Sequence, residues 1–238
     1  MIDIHSHIIP NVDDGCKSLI EAKELLLEEV KQGVSDIILT PHHRHHMFEA
    51  SVEEVNQSFF NLQELVKKEK IGVNLYLGQE IYIRKYESLK RNLDEVKNGE
   101  ALTFGKSKYV LLEFSYTEEI DLPEVVYMTI KNGYIPIIAH LERYQYIDDA
   151  NEVYEMIKNG ALIQINASSV IGKDGRKVKR FVNSLIKEDL VHFVSSDIHY
   201  NRINYMQKAY RKVAKKHGKE VANRLFSDNA KKYLLEVI

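Results

Sequence analysis

Met1-Ile2-Asp3-Ile4-His5-Ser6-His7 opens the chain, and Ile8-Ile9-Pro10-Asn11-Val12-Asp13-Asp14-Gly15 follows at once. Met1 to Ile4 alternate as a short strand does, so His5 and His7, two residues apart, project from one side of an extended backbone. Two imidazoles at a strand end, with an acidic pair before a turn-forming glycine, supply nitrogen and oxygen donors that can converge on divalent cations. The plain alternative is a buried, hydrogen-bonded histidine pair. The choice turns on whether other strands end the same way.

They do. Ser18-Leu19-Ile20-Glu21 reads as a capping box, and Ala22, Leu25, Leu26 and Val30 stripe the helix it opens until Gly33 stops it. A second strand, Ser35 to Pro41, runs into His42-His43-Arg44-His45-His46, and Ser51-Val52-Glu53-Glu54 caps the next helix to about Lys70. Val73 to Glu80 and Tyr109 to Glu113 are strands ending on an acid. Tyr134 to His140 ends on a histidine, and Leu162 to Asn166 and His192 to Asp197 complete the series. Helical stretches fall at 87–98, 121–132, 148–159 and 175–188, with more from about 203 onward. Strand and helix alternating with nearly continuous apolar strands predict a parallel α/β fold, most simply a closed or nearly closed barrel. No glycine-rich phosphate loop follows the first strand, which weakens a nucleotide-binding open sheet.

In such a barrel the C-terminal strand ends share one face. His5, His7, His42, Glu80, Glu113, His140, Asp197 and His199 all lie at or just past those ends, so residues far apart in sequence become neighbours around metal.

Composition bounds the rest. The chain has 238 residues, 44% of them hydrophobic, without linker, repeat or low-complexity run, and one domain over 1–238 is expected. Lys+Arg 33 against Asp+Glu 35 gives a net charge of -2, which points to neither nucleic acid nor an anionic membrane surface. Cys16 is alone, so there is no intrachain disulfide. The N-terminus lacks a secretory pattern, no run approaches the ~18 to 20 apolar residues of a membrane span, and a cytoplasmic protein is expected. A thiol phosphatase needs an arginine six positions after its cysteine, and position 22 is Ala.

HSH at the start, DDG after it, TPHH at 40–43, GQE at 78–80, LLE at 111–113, AHLERY at 139–144 and SSDIH at 195–199 come in the order of the polymerase and histidinol phosphatase (PHP) superfamily, which the whole chain resembles. It is most similar to the bacterial protein-tyrosine phosphatases found with capsule and exopolysaccharide genes. The resemblance implies a distorted seven-stranded, TIM-like β/α barrel holding three metal ions. It assigns His5, His7 and Asp197 to the first ion and Glu80 as a bridge to a second, held also by Glu113 and His140. Asp14, His42 and His199 take the third. Four carboxylates against three divalent ions leave about two positive charges, suited to a phosphate dianion and an activated hydroxide. Donors without thiolate suit manganese first, with iron or zinc as alternatives.

Arg143 and Arg202, each three residues past a ligand histidine, are assigned by the resemblance to the phosphate oxygens. Arg143 pairing with Glu142 is the structural alternative. His43, Arg44, His45 and His46 are read as loop and rim residues, and the basic stretches 173–180 and 208–219 as solvated helix faces. The expected activity is hydrolysis of phosphotyrosine by a metal-bound hydroxide, on a protein such as a tyrosine kinase tail. Alternatives are a histidinol-phosphate phosphatase, a nuclease, or a metal-stabilised interaction module without turnover.

Overall fold

The computed structural model describes residues 1–236. Strands β1 (Ile2–Asp3), β2 (Asp36–Leu39) and β4 (Asn74–Leu77) form one sheet in the order β1-β2-β4. A second sheet takes β3 (His42–His43), β5 (Glu80–Ile83), β6 (Tyr109–Phe114), β7 (Ile135–Ile138), β8 (Leu162–Asn166) and β9 (Phe193–Ser195) in chain order. Every ladder between these strands is parallel, as the alternation with helices requires. The helices are α1 (Leu19–Gln32), α2 (Val52–Glu69), α3 (Tyr86–Asn98), α4 (Leu122–Lys131), α5 (Ala150–Lys158), α6 (Ala167–Ile171), α7 (Arg176–Lys187), α8 (Met206–His217) and α9 (Lys219–Asn223). Among the described residues no helix is long and apolar enough to cross a membrane.

The seven expected strands become nine because two runs break. Pro41, which has no N–H for a ladder, separates β2 from β3. Gly78 separates β4 from β5, and a Cβ there would lie 2.4 Å from Phe104 Cδ1, so only glycine lets that ring pack against the backbone. The broken runs stay together: Gly78 N–H donates to Leu39 O (2.8 Å) and Glu80 N–H to Pro41 O (3.1 Å). Past β1 the first segment bonds on both sides, through Thr40 N–H to Ser6 O, His7 N–H to Ile198 O and Asp197 N–H to His5 O, each 2.9 Å.

Helix ends follow local chemistry. Ser18 Oγ accepts the Glu21 N–H, while the Glu21 carboxylate takes the Lys17 N–H rather than that of Ser18, so the box expected there is half formed. Ser51 and Glu54 make the full reciprocal box. α6 was not expected. It starts directly from β8 and ends at Gly172 (φ 93°), too short to show periodicity.

Alternation along the strands sorts the core and prepares the site. On β6, Val110, Leu112 and Phe114 pack in the larger cluster against the helices, while Leu111 faces inward. Ile2, Ile4, Ile38, Ile137, Leu162 and Phe193 join Leu111 in a buried plug with Phe104 and Leu234. Truncating such a residue to Ala costs about 2–5 kcal/mol. Glu113 lies two residues beyond Leu111, and Gln164 and Asn166 lie two and four beyond Leu162, so the inward column turns from apolar to polar at one end of the strands. That change of character positions the site.

Candidate metal centre

His5 and His7 are fully buried, and their Nε2 atoms stand 3.2 Å apart. Glu80 Oε2 lies 3.2 Å from His5 Nε2, 3.3 Å from His7 Nε2 and 2.9 Å from His42 Nδ1. Its other oxygen, Oε1, is 3.0 Å from His140 Nε2. Glu113 approaches His42 (3.6 Å) and His140 (3.8 Å), and Asp197 Oδ1 is 3.6 Å from both His5 and His7. On the open side Asp14 Oδ1 meets His199 Nε2 (3.3 Å) and His42 Nε2 (3.6 Å). All nine ligands expected from the sequence therefore meet at one place.

Within this cluster three groups have ligand atoms within 4.8 Å of one another: His7-Asp14-His42-His199, His5-His7-Glu80 and His42-Glu80-Glu113. His7, His42 and Glu80 each stand in two of them. His140 and Asp197 join through their contacts with Glu80, and with His5 and His7, respectively.

The hydrogen bonding of this cluster is incomplete without a cation. Gln164 Oε1 accepts the His140 N–H (2.7 Å), which fixes it as the carbonyl oxygen, so the facing His5 Nδ1 (3.1 Å) is the protonated nitrogen. His7 Nδ1 likewise faces the Asp13 carboxylate at 2.8 Å. In the neutral form of each ring Nε2 is then a lone pair, aimed at its twin and at a carboxylate oxygen. Glu80 Oε2, Glu113 Oε2, His42 Nδ1 and His140 Nδ1 are buried without a hydrogen-bond partner. Glu80 Oε2 and His42 Nδ1 remain unbonded although 2.9 Å apart, the relation of two ligands to a shared ion rather than of donor to acceptor.

The charges agree. Burial alone would lower the basicity of His5 and His42, but the surrounding carboxylates, Glu80 first, outweigh it and raise them to about 9 and about 10. Glu80 is held well below the usual carboxylate range, because His5 and His42 overcome its burial. Glu113 is raised by burial and by Glu80. Asp14, at the exposed rim, is held near 2, chiefly by its hydrogen bond with His199.

Two residues of the cluster carry positive φ without being glycine, His140 (30°) and Asp197 (51°). Backbone strain of this kind, about 1–3 kcal/mol each, concentrates at functional sites.

Residues 1–235 match the model of a family described as capsular polysaccharide synthesis, CpsB/CapC. The chain belongs to the CpsB/CapC family. The tyrosine-protein phosphatase CpsB of Streptococcus pneumoniae is 36% identical over 245 residues, covering 99% of each chain. The putative tyrosine-protein phosphatase CapC of Staphylococcus aureus is 38% identical over 201 residues, 84% of this chain and 77% of its own. A solved structure from work on YwqE of Bacillus subtilis and CpsB of S. pneumoniae, described as unique metal-dependent tyrosine phosphatases, superposes with a TM-score of 0.88. It is 31% identical and the match covers 99% of this chain and 94% of that one.

Several groups that build this CpsB/CapC site were not singled out from the sequence. Asp13 turns inward beside the ligand Asp14: its Oδ2 accepts from His7 Nδ1 and from His42 N–H (3.0 Å), and Oδ1 from Gly15 N–H (2.9 Å). A Cβ on Gly15 would lie 2.1 Å from His7 O, so glycine lets the loop fold back and aim Asp13 at His7. Gln164 holds His5 and donates to Asn166 Oδ1 (2.9 Å), and Asn166 donates to Asp197 Oδ2 (2.8 Å). Such partners fix ring orientation and raise ligand basicity.

Arg143 does not pair with Glu142. Glu142 is buried and accepts from Asn166 N–H (2.9 Å) and Ser169 Oγ (2.6 Å). Arg143 Nη1 instead donates to Asp197 Oδ2 (3.2 Å) and Tyr116 OH (3.3 Å), with its guanidinium 5.2 Å from the Tyr116 ring centre. Arg202 is exposed, makes no ion pair among the described residues, and lines a cavity of about 290 Å³ with Arg143 and Asp197. The basic stretches are partly engaged elsewhere, Lys177 with Asp148 (2.9 Å) and Lys216 with Asn183 (2.8 Å).

Proposed function

We propose that this chain is a metal-dependent protein-tyrosine phosphatase of capsular polysaccharide synthesis, and that its substrate is a phosphotyrosine-bearing tail of a bacterial tyrosine kinase. The observation that carries the chemistry is the meeting of His5 Nε2, His7 Nε2 and Glu80 Oε2, three potential ligand atoms within 3.3 Å of one another.

His5, His7 and Asp197 would hold one ion, Glu80 would bridge it to a second on Glu113 and His140, and Asp14, His42 and His199 would hold a third, with manganese the first candidate. When bound, the ions supply positive charge to the phosphoryl oxygens and lower the pKa of water. Everything else is the work of the chain. Asp13 and Gln164 fix the tautomers of His7 and His5 so that Nε2 faces the centre. Arg143 hydrogen-bonds only through Nη1, which leaves its remaining N–H groups for two phosphate oxygens. Arg202 reaches the same cavity. The rings of Tyr116 and of Phe48, the latter stacked on His42 at 5.3 Å, flank the centre and suit an aryl ester.

On this reading residues 1–238 form one domain, a distorted β/α barrel in which the seven expected strand runs, two of them broken, lie in two sheets joined by the bonds of residues 5–7 with 40, 197 and 198. A single buried cluster running from Ile8 to Phe226 supports that reading. The test is a panel: metal-loaded protein on a phosphotyrosine peptide, histidinol phosphate and single-stranded DNA. Preferential turnover of the peptide is expected. Preference for histidinol phosphate or DNA overturns the assignment.

A further inference from the structure

We infer that His43, His45 and Glu95 form a second metal site, apart from the central cluster, that takes a zinc-class ion. This inference is independent of the phosphatase reading and replaces the expectation that His43 and His45 are plain rim residues.

His43 and His45 are two apart and project to one side, while Arg44 between them turns away and lies 3.9 Å over the Tyr82 ring. The chain then doubles back, with Arg44 N–H to Phe48 O (3.0 Å), Phe48 N–H to Arg44 O (2.8 Å), and His46 at φ 64° in the turn. Both imidazoles meet Glu95 of α3: its Oε2 is 2.8 Å from His43 Nε2 and its Oε1 2.9 Å from His45 Nε2. One ligand atom from each of the three lies within 4.8 Å of the others. Around a tetrahedral zinc with bonds near 2.0–2.1 Å, ligand atoms stand about 3.3 Å apart, and the three donor atoms here, all within 4.8 Å of one another, are close enough to converge on one ion.

The second observation concerns the other face of His45. Its Nδ1 is 3.5 Å from Glu49 Oε1, so the ring stands between two carboxylates. A neutral imidazole has one proton for two such partners. With that proton on Nδ1 toward Glu49, Nε2 is a lone pair facing Glu95, the carboxylate-histidine-metal arrangement of zinc sites. Arg91, the other cation near Glu95, is 3.6 Å away and half exposed, too loose to take this place. Two histidines and a glutamate are a recurrent zinc donor set with the fourth position left to water. An ion here ties the turn carrying Phe48 to α3 and thereby steadies the ring stacked on His42.

The full chain loaded with zinc and desalted provides the test. Elemental analysis of the parent, His45→Ala and Glu95→Gln should show one zinc fewer per chain in each variant, with folding monitored by circular dichroism. Diffraction at the zinc edge from the parent should place an anomalous peak between His43 Nε2, His45 Nε2 and the Glu95 carboxylate. Equal zinc in all three proteins, or no peak there while the central sites are filled, overturns the proposal and leaves His43 and His45 as hydrogen-bond partners of Glu95. Because the comparison counts ions, a failed phosphatase assay does not alter it.

Discussion

The Nε2 atoms of His5 and His7 face each other at 3.2 Å while each ring's Nδ1 is held by an acceptor, Gln164 for His5 and Asp13 for His7. Two neutral imidazoles so fixed repel each other, and a shared cation or added protons remove the repulsion. The relationship makes Asp13 and Gln164 the groups that orient His7 and His5. Asp13→Asn is expected to keep the fold and to lower metal affinity or turnover by about 10–100-fold, the usual effect of losing an outer partner of a ligand histidine. Metal titration followed by spectroscopy measures it, and unchanged affinity and turnover would count against the assigned orientation.

Metal uptake should release protons. In the metal-free protein the carboxylates, Glu80 first, overcome burial and keep His5 and His42 protonated up to about pH 9 and about pH 10. A metal needs those lone pairs, so at pH 7.5 loading should liberate about two protons from these rings, and affinity should rise with pH through that range and fall on acidification. Calorimetry in buffers of different ionisation enthalpy counts the protons. A count of zero contradicts the protonation described here.

Arg143 and Glu80 should fail in different ways. Glu80→Ala removes the carboxylate that contacts His5, His7, His42 and His140, so it should lose both metal and turnover. Arg143→Ala should keep its ions and lose about 2–4 kcal/mol of transition-state stabilisation, typical for one charge-stabilising donor. Tyr116→Phe, which removes only one of the two acceptors of Nη1, should cost less. Full activity of Arg143→Ala would remove the residue from the phosphate site.

Cys16 should be dispensable to the chemistry. It is fully buried, and burial pushes its thiol up to about 12, so no nucleophilic thiolate forms near neutrality. Cys16→Ala is expected to keep its kcat, with any loss confined to thermal stability. An inactive but folded and metal-replete variant would point to a covalent route.

Most of the candidate ligands were legible in the sequence because they fall at or beside strand termini, Glu113 near the end of β6 and His42 and Glu80 at the start of β3 and β5, and the side a strand residue faces is a local property. Leu111 and Glu113 share a side of β6, and nothing distant is needed to see it. Gln164 was not legible: it sits mid-strand among isoleucines with no motif, and its role exists only once β7 brings His140 N–H alongside. Asp13 and Asp14 could not be assigned their different duties from spacing alone, since what separates them is the close pass of Gly15 against His7. Glu95 lies in the last turn of α3, 50 residues from His45, where a glutamate is normally on a solvated face. The broken strands needed the Phe104 ring against Gly78, a contact 26 positions away.

With the convergent histidines and carboxylates as its ligands, phosphotyrosine hydrolysis should depend wholly on metal. Exhaustive dialysis against chelator followed by assay on a phosphotyrosine peptide, with and without restored manganese, tests it most directly. Activity should vanish on dialysis and return with the ion, in step with bound metal per chain. Full activity in protein shown by elemental analysis to be metal-free would contradict it.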